Sequence, residues 1–328
     1  MSEGASTGTV WMDGEFVPSE DAQVHVLTHS LHYGFGVFEG TRFYEQIGGG
    51  TAIFRLEDHL RRLEESSHIL LLDLPHAREE LREASLELVR RSGLASGYLR
   101  HLVYLGHGSM GLYPKDNPVR IAIAAWPWGA YLGEEGLENG VRCKITSYTR
   151  PGPNSAMTKA KAIGNYVNSI LAKREALALG YDEGLLLDST GCLSEGSGEN
   201  VFMVRRGKIK TPPLVSVLEG ITRESVMQLA HLEGWEVYEA PITRDELYTA
   251  DEVFMTGTAA EITPVREVDG RRIGTGKPGP VTKTIQERFF SVVQGAIPEL
   301  SSWLAPVPEL SSKNSVEADS ARQTAPAT

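Results

Sequence analysis

The stretch GNYVNSILAKREALALGYDEGLLLD (164–188) decides the fold class, because a helix pattern passes into a strand pattern within it. Residues 164–180 predict a helix, and the apolar run DEGLLLD (182–188) predicts a buried strand. The same alternation continues on both sides, with strands at 141–148, 200–210 and 251–257 and helices at 222–234 and 281–295. Strands that alternate with helices in this way predict an α/β domain over residues 140–305.

The first part of the chain predicts a smaller unit of mixed helices and strands over residues 1–125. Apolar residues alternate around Asp13-Gly14, which is a hairpin signal. Helical spacing begins at Arg55, and a second helix is expected from Arg78 to Ser92 with Gly93 as its C-terminal cap. The inward residues of these helices are Leu56, Leu60, Leu63, Leu70, Leu81, Leu88 and Val89, and strands are expected at 98–105 and 119–126.

The two units are expected to be joined by a Gly-rich linker at residues 126–139. We therefore predict an α+β small domain followed by a larger α/β domain. Residues 306–328 are rich in Ser, Ala, Pro and charge, and are expected to form a disordered tail.

Composition restricts the possible classes of protein. The chain has 328 residues with 41% hydrophobic and 23% charged residues, which is ordinary globular composition. Its 32 basic and 43 acidic residues give a net charge of −11, which argues against a nucleic-acid or anionic-membrane partner. Cys143 and Cys192 are too few for a disulfide scaffold. The N-terminus lacks a signal-peptide pattern and no apolar run could span a bilayer, so a cytoplasmic location is expected.

Three motifs suggest functions that their surroundings do not favour. GHGSMG (106–111) and GTGKPG (274–279) match a dinucleotide-binding pattern. The first is followed by a proline-containing loop instead of a helix, and in the second Pro278 removes an amide, so both are interpreted as loops. His25, His29 and His32 have the spacing of a metal site on a helix, but their segment is interpreted as extended, and no metal is expected.

Four weak signals in the second half predict one kind of cofactor when they are taken together. Lys159 and Lys161 lie among small residues before a helix, and LSEGSGENVF (193–202) places two carboxylates in a tight turn. LEGITRE (218–224) opens a helix, and MTGTAAE (255–261) offers backbone amides, so both suit an anion. Taken separately, the four signals would be interpreted as surface lysines, a polar turn, a helix cap and a loop. Together they are the parts that pyridoxal 5'-phosphate requires.

The chain resembles the class IV, or fold type IV, aminotransferases, and among them the bacterial branched-chain amino acid aminotransferases. The resemblance covers nearly all of Val10 to Phe290. It is carried by long blocks: HYGFGVFEGTRFY (32–44), FRLEDHLRRLEES (54–66), AAWPWGAYLG (124–133), AKAIGNYVNS (160–169), SEGSGENVF (194–202), TPP (211–213) with GITRES (220–225), and ADEVFMTGTAAEITPV (250–265). The resemblance implies two domains with an active site between them.

It also implies a role for individual residues. Lys161 would be the catalytic lysine that bonds the cofactor, and Lys159 only its neighbour. Glu195 would hold the pyridine nitrogen and Tyr166 the phenolic oxygen. The phosphate would be held by Arg62, Gly220, Ile221, Thr222 and Thr258.

The substrate pocket implied by the resemblance has aromatic and methionine walls, which suit leucine, isoleucine and valine. Arg100 would reach the second carboxylate of glutamate or 2-oxoglutarate. The D-amino-acid relatives place an Arg-x-His pair on one face of this strand. Because Arg100 and His101 are adjacent, they point to opposite faces, so the resemblance favours the L-selective branch. The predicted pocket residues are Tyr33, Phe38, Gly40, Tyr98, Arg100, Met110, Trp128, Tyr131, Thr258 and Ala259.

The resemblance implies a homodimer or a homohexamer built as a trimer of dimers. Within the same fold, a D-amino acid or amine transaminase and a pyridoxal phosphate lyase remain alternatives. A nicotinamide-dependent dehydrogenase and a cofactor carrier without catalysis are alternatives from other classes.

Overall fold

The structure, a computed structural model, describes residues 8–308. The first part of the chain forms strands with three helices between them. In chain order these are β1 (Thr9–Met12), β2 (Glu15–Pro18), α1 (His29–Tyr33), β3 (Gly36–Glu45), β4 (Thr51–Phe54), α2 (Leu56–Ile69), α3 (Arg78–Ser92), β5 (Gly97–Leu105) and β6 (Val119–Trp126).

The second part of the chain alternates helices and strands more regularly. It contains α4 (Glu134–Asn139), β7 (Val141–Thr149), α5 (Tyr166–Ala178), β8 (Glu183–Leu187), β9 (Leu193–Gly196), β10 (Asn200–Arg205), β11 (Lys208–Thr211), α6 (Ile221–Leu232), β12 (Val237–Glu239), α7 (Arg244–Tyr248), β13 (Glu252–Gly257), β14 (Glu261–Val268), β15 (Arg271–Arg272), α8 (Pro280–Val293) and β16 (Leu304–Pro306). Short 3₁₀ turns lie at Ser19–Asp21, Ile163–Asn165 and Pro298–Trp303.

The first sheet is antiparallel, in the order β16-β4-β3-β5-β6-β1-β2 over the described residues. Its first hairpin turns at Asp13 and Gly14, both with positive φ, as a two-residue hairpin turn requires. Helices α2 and α3 pack on this sheet through the predicted apolar stripe, with Leu60, Leu63 and Leu88 fully buried. Because these helices pack on a single antiparallel sheet, the first part of the chain is the expected α+β unit.

The second sheet mixes parallel and antiparallel pairs in the order β12-β11-β10-β13-β14-β7-β8-β9, with β15 paired to β14, within residues 8–308. The pairs β11/β12, β14/β7 and β7/β8 are parallel, and each is reached through an intervening helix or a long connection. This confirms the predicted α/β class for the larger unit.

A hydrophobic cluster joins the two sheets. Tyr44 and Phe54 from the first sheet pack in one buried group with Phe202 and Phe254 from the second and Phe289 from α8. The rings of Phe54 and Phe289 meet edge to face at 5.4 Å between centroids. The two units therefore share part of their core, and this sets the position of the cleft between them.

Several predicted elements are confirmed to within a few residues. Helix α3 has the predicted bounds Arg78–Ser92 and ends at Gly93, which adopts the left-handed conformation with φ of 65°. The single strand predicted for residues 200–210 is wrong. Arg206 and Gly207 both have positive φ, so the chain reverses there and β10 pairs with β11 as a hairpin.

The C-terminal boundary also differs from the prediction. Residues up to 305 were expected in the larger domain, but β16 pairs with β4 in the first sheet. The indole of Trp303 packs on Phe54 and under the Arg55 guanidinium, which returns the chain to the small unit. Pro306, predicted as the start of a tail, ends β16. The rest of the predicted tail from residue 309 lies outside the described residues. Among the helices of residues 8–308, none is long and apolar enough to cross a bilayer.

Candidate active site

A cavity of about 710 Å³ lies between the two sheets. Strands β3 and β5 with helix α2 form one wall, and the starts of α5 and α6 with the turn after β13 form the other. Most residues predicted for the site line this cavity, namely Phe38, Gly40, Arg62, Tyr98, Arg100, Trp128, Tyr131, Lys161, Tyr166, Gly220, Ile221, Thr222, Thr258 and Ala259.

Lys161 is held through its backbone and presents its amine to the cavity. Its N–H donates to Ser66 Oγ at 3.1 Å, and its carbonyl accepts from the Phe38 N–H at 3.0 Å. The segment is thereby fixed between α2 and β3. The Lys161 Nζ donates to the Tyr166 hydroxyl at 2.7 Å and lies 5.0 Å from the centre of the Phe38 ring.

Lys159, two residues earlier, has a different environment. Its Nζ donates to the carbonyls of Leu214 and Val217 in the loop before α6. Burial lowers the pKa of this amine. Lys159 therefore ties one loop to another, whereas Lys161 faces the cavity.

Glu195 is buried and lines a small pocket together with Lys161 and Tyr166, which also line the large cavity. One carboxylate oxygen lies 2.7 Å from Arg150 Nε, and the other accepts from the Leu218 N–H at 3.0 Å. Burial raises the pKa of this carboxyl, while Arg150 and the Leu218 amide oppose the rise. A carboxylate in this setting can accept a hydrogen bond from a protonated ring nitrogen.

The opposite end of the cavity is suited to an anion. Helix α6 has Gly220 as its N-cap and no side-chain cap, so its first amides are available. A Cβ at Gly220 would lie 1.9 Å from Asn200 Oδ1, so only glycine fits without movement. Arg62 is buried beside this helix end and donates to the Glu219 carbonyl at 2.8 Å. Free amides and a buried cation together are suited to hold a phosphate, and we call this group the phosphate cradle.

The remaining wall is aromatic with one cation. The Arg100 guanidinium carbon lies 4.6 Å from the ring centre of Phe38 and 5.4 Å from that of Tyr98. Trp128 stacks parallel to Tyr131 with centroids 6.2 Å apart. Arg100 Nε and Trp128 Nε1 are buried without a hydrogen-bond partner among the described residues. Buried donors of this kind are expected to meet a ligand or water.

Adjacent residues on β5 face opposite sides of the sheet, as predicted. Arg100 lines the cavity, whereas the His101 ring is fully buried and its Nε2 lies 2.8 Å from Ser85 Oγ on α3. Burial lowers the pKa of His101 to about 4, so the ring is neutral near pH 7.

Two predicted pocket residues are not brought to the cavity of this chain. Tyr33 and Met110 do not line it and are 45% and 43% exposed. The Tyr33 ring stacks on His29 at 4.6 Å. Both residues lie where α1 meets the loop after β5, on the outside of the described chain.

The other motifs take structural roles. GHGSMG is followed by a loop, with no helix before β6. GTGKPG does precede helix α8, but Glu252 accepts from the amides of Val281 and Thr282 there. An internal carboxylate therefore occupies the place that a dinucleotide phosphate would need.

The three histidines make separate contacts. His29 Nε2 lies 2.8 Å from the Gly111 carbonyl and His32 Nε2 lies 2.9 Å from the Val26 carbonyl, and the His25 ring stacks on His107. The segment predicted as extended turns into the short helix α1 at His29. Residues 8–308 contain no group of three or more His, Cys, Asp or Glu side chains that could hold a metal ion.

Sequence reasoning missed two charged partners of the site. Arg150 directly follows β7 and precedes Pro151 and Gly152, and Glu39 lies between two predicted pocket residues on β3. Neither belongs to a chemical motif. Only the contacts of Arg150 with Glu195, and of Glu39 with Arg62, reveal them.

The fold and the site define a class of protein. The chain matches the family model of class IV amino-transferases over residues 36–268, and it belongs to that family. The family predicted from the sequence is thereby confirmed.

Within the family, the chain is similar to branched-chain-amino-acid aminotransferases. It is 48% identical over 303 residues to that of Pseudomonas aeruginosa, covering 92% of this chain and 98% of the relative. It is 47% identical over 297 residues to that of Escherichia coli (strain K12), with 90% and 96% covered. A crystal structure of the T.th. branched-chain amino acid aminotransferase with pyridoxamine 5'-phosphate matches with a TM-score of 0.89 at 50% identity, covering 92% of this chain and 99% of that one.

Proposed function

We propose that the protein transfers the amino group between the branched-chain L-amino acids leucine, isoleucine and valine and 2-oxoglutarate. The products are L-glutamate and 4-methyl-2-oxopentanoate or the related 2-oxo acids. The observation that carries the proposal is the position of Lys161, which lines one cavity with the phosphate cradle and a second, smaller pocket with the buried Glu195. Branched-chain relatives with 47–48% identity support the substrate class.

The cofactor is pyridoxal 5'-phosphate, and the residues at the cavity fit it. Lys161 would bond its aldehyde carbon and Tyr166 would contact its phenolic oxygen. Glu195 would accept from its ring nitrogen. Its phosphate would lie against Arg62, Thr258 and the amides of Gly220, Ile221 and Thr222. When bound, this cofactor supplies a carbonyl carbon for the amino group and a ring that withdraws electrons from the reacting carbon.

The protein's own contribution is to hold groups and move one proton. The Lys161 amine, once free, would act as the base that removes the proton from the substrate α-carbon and as the acid that returns it. Tyr166 orients this amine by accepting its hydrogen bond. Arg150 lies next to Glu195 and favours its ionised form, and an ionised Glu195 would keep a proton on the ring nitrogen.

The part of the cavity that binds the substrate must accept an apolar side chain in one half-reaction and an acidic side chain in the other. The rings of Phe38, Tyr98, Trp128 and Tyr131 and the space over Gly40 offer an apolar surface. Arg100 lies at this surface and can pair with the second carboxylate of glutamate. The amides of Thr258 and Ala259 would receive the α-carboxylate.

The protein is proposed to act as a cytoplasmic homo-oligomer, a dimer or a trimer of dimers. Tyr33 and Met110 would reach the cavity of a neighbouring copy, which accounts for their position outside the cavity of their own chain. Their surroundings support an interface, because Leu31, Leu112 and Tyr113 nearby are 63%, 92% and 81% exposed.

Replacing the cavity lysine tests the proposed function. Lys161→Ala should abolish transfer from L-leucine to 2-oxoglutarate and remove the visible absorption of the bound cofactor. Lys159→Ala is the matched control and should keep both, because its amine contacts loop carbonyls. Full activity of Lys161→Ala would refute the assignment. Turnover of D-alanine in place of L-leucine by the wild-type protein would indicate the D-amino acid branch.

A further inference from the structure

A buried carboxylate on β3 holds the cavity arginine. Glu39 is fully buried, and its two oxygens accept from Arg62 Nε at 2.6 Å and from Arg62 NH2 at 2.9 Å. The pair is bidentate, the geometry in which guanidinium and carboxylate fix each other's orientation. The neighbouring residues Phe38 and Gly40 line the cavity, so Glu39 points from the same strand to the other face, towards α2.

A second residue of α2 completes this arrangement. His59 precedes Arg62 by three residues and therefore lies on the same face of the helix. Its Nδ1 lies 2.7 Å from Glu39 Oε2, and the ring is 1% exposed. Burial lowers the pKa of His59, so the ring is neutral near pH 7 and its Nδ1–H donates to the carboxylate.

The charges indicate that the pair is always ionised. Burial alone would raise the pKa of Glu39, but Arg62 and His59 together hold it far below its usual range. Glu39 therefore remains a carboxylate over the whole working range of pH. Without Arg62, the buried Glu39 carboxylate would be an unpaired charge and would strongly destabilise the fold. Glu39 and Arg62 therefore function as one unit.

The contacts of Arg62 leave part of its fork free for a ligand. A guanidinium carries five N–H donors. Glu39 receives donors on Nε and NH2, and the Glu219 carbonyl receives one from NH1. Arg62 lines the cavity together with Ile221 and Thr222, so its remaining N–H donors can meet a ligand there. Glu39 thus sets the plane in which Arg62 meets the cavity.

We propose that Glu39 is a positioning residue for the cofactor phosphate, acting through Arg62, with His59 holding Glu39 in place. The inference rests on the proposed function, because it takes the phosphate of pyridoxal phosphate as the ligand of Arg62. A purely structural ion pair would stabilise the packing of α2 on β3 without distinguishing a phosphorylated ligand from an unphosphorylated one.

The test compares pyridoxal phosphate with pyridoxal, which lacks the phosphate. Both are titrated into the full-length protein freed of cofactor, and tryptophan fluorescence gives the dissociation constants. Glu39→Gln keeps the shape but removes one acceptor oxygen and the charge. It should weaken pyridoxal phosphate binding about 10- to 100-fold, the scale found for residues that orient a ligating group, with pyridoxal changed less than about 3-fold.

Glu252→Gln is the matched control. Glu252 is equally a buried carboxylate with several hydrogen bonds, but these go to the N-terminus of α8, outside the cavity. This variant should lower the melting temperature and leave the ratio of the two dissociation constants unchanged. If Glu39→Gln does not fold, His59→Gln serves in its place and should shift the ratio in the same direction, by about 3- to 10-fold.

Two outcomes overturn the inference in distinguishable ways. If the variants weaken pyridoxal and pyridoxal phosphate equally, Glu39 is structural and the proposed function stands. If the wild-type protein binds pyridoxal phosphate no more tightly than pyridoxal, the phosphate cradle itself is wrong, and the proposed function is refuted together with the inference.

Discussion

Arg100 is the residue on which the dual specificity of the proposed reaction would depend. Its guanidinium lies among the rings of Phe38, Tyr98 and Trp126, where an apolar side chain can pack, yet it carries a charge. Its buried Nε has no partner among the described residues. One side chain can therefore form part of an apolar wall through its ring contacts and also bind a second carboxylate.

Replacing Arg100 should separate the two half-reactions. Arg100→Met removes the charge and keeps an apolar stem. A hydrogen bond to a charged group contributes about 1.5–3 kcal/mol. KM for glutamate should therefore rise about 10- to 100-fold, whereas kcat/KM for leucine should change less than about 3-fold. Single-substrate stopped-flow measurements give both values. Arg120→Met, at a half-exposed arginine outside the cavity, is the control. Equal losses for both substrates would contradict the assignment.

Glu199 gives the site a pH-sensitive group. Its carboxyl is buried at the cavity wall and accepts from the Gly198 N–H at 3.0 Å. Burial and the nearby Glu183 carboxylate raise its pKa to about 8. The folded protein therefore retains a proton on Glu199 between pH 4.5 and 8, where an unfolded chain has lost it.

This difference predicts how stability depends on pH. Below pH 4.5 both states are protonated at Glu199, and between pH 4.5 and 8 only the folded state is. The free energy of unfolding should therefore fall as pH rises through this window, with a contribution of at most about 1.4 kcal/mol per pH unit. In urea titrations at several pH values, Glu199→Gln should lose less stability than wild type. The exposed-site control Glu79→Gln should follow the wild type. Parallel curves for wild type and Glu199→Gln would refute the prediction.

At the scale of elements, β3 supplies both sides of the site. Because side chains alternate along a strand, Phe38 and Gly40 face the cavity while Glu39 between them faces α2. A Cβ at Gly40 would lie 1.6 Å from the Tyr98 hydroxyl of β5, so a larger residue would displace the pocket wall. The same strand would thus shape the proposed substrate surface and orient the arginine that we propose to hold the phosphate.

The N-terminus of α6 should depend on its glycine. In Gly220→Ala the new methyl group would meet Asn200 Oδ1, and Asn200 is held by its own hydrogen bond to the Leu218 carbonyl. The cradle must shift, so affinity for pyridoxal phosphate should fall at least about tenfold, with a loss of stability of about 1–3 kcal/mol. Gly48→Ala is the control, because a Cβ there meets nothing within 4 Å and Gly48 does not line the cavity. Fluorescence titration and thermal unfolding measure the two effects, and unchanged affinity in Gly220→Ala would contradict the cradle.

At the scale of the whole molecule, the shared core sets the position of the cavity, and an apolar surface is available for the proposed neighbouring copy. Phe54 and Phe289 lock the two units together, so the cleft between them has a defined shape. The segments around α1 and the loop after β5 are joined by the pairing of Thr28 with His107 and by the contact of His29 with Gly111. Together they present Val26, Leu31, Leu112 and Tyr113 to the outside.

A charge on this surface should dissociate the oligomer. Leu112 is 92% exposed, so Leu112→Glu should leave the fold of the chain intact and shift the molar mass measured by light scattering towards a monomer. The transaminase activity should fall as the molar mass falls, because Tyr33 and Met110 would no longer reach the cavity of a neighbouring copy. Leu71→Glu, at an isolated leucine that is 87% exposed, should change neither. An unchanged mass for Leu112→Glu would refute this interface.

Much of the fold follows from local pattern. The period of apolar residues predicts α2, α3, β5 and β6 nearly to the residue, because side-chain direction along a helix or strand depends only on position. The family blocks identify Lys161, Tyr166 and Glu195. The turn at Arg206-Gly207 escaped prediction because its two positive φ values depend on the pairing of β10 with β11.

The sequence by itself therefore determined the α/β class, the family and the cofactor chemistry, because each is indicated by short motifs that can be recognised one by one along the chain. Only the tertiary structure decided which buried charges meet. Glu39 contacts Arg62 because α2 packs on β3, and Arg150 contacts Glu195 because β7, β8 and β9 are neighbours in the second sheet. The pairing of β16 with β4 in the first sheet also depends on the packing of distant segments. Such pairings are set by the packing of distant segments, and buried charges require partners that local spacing does not encode.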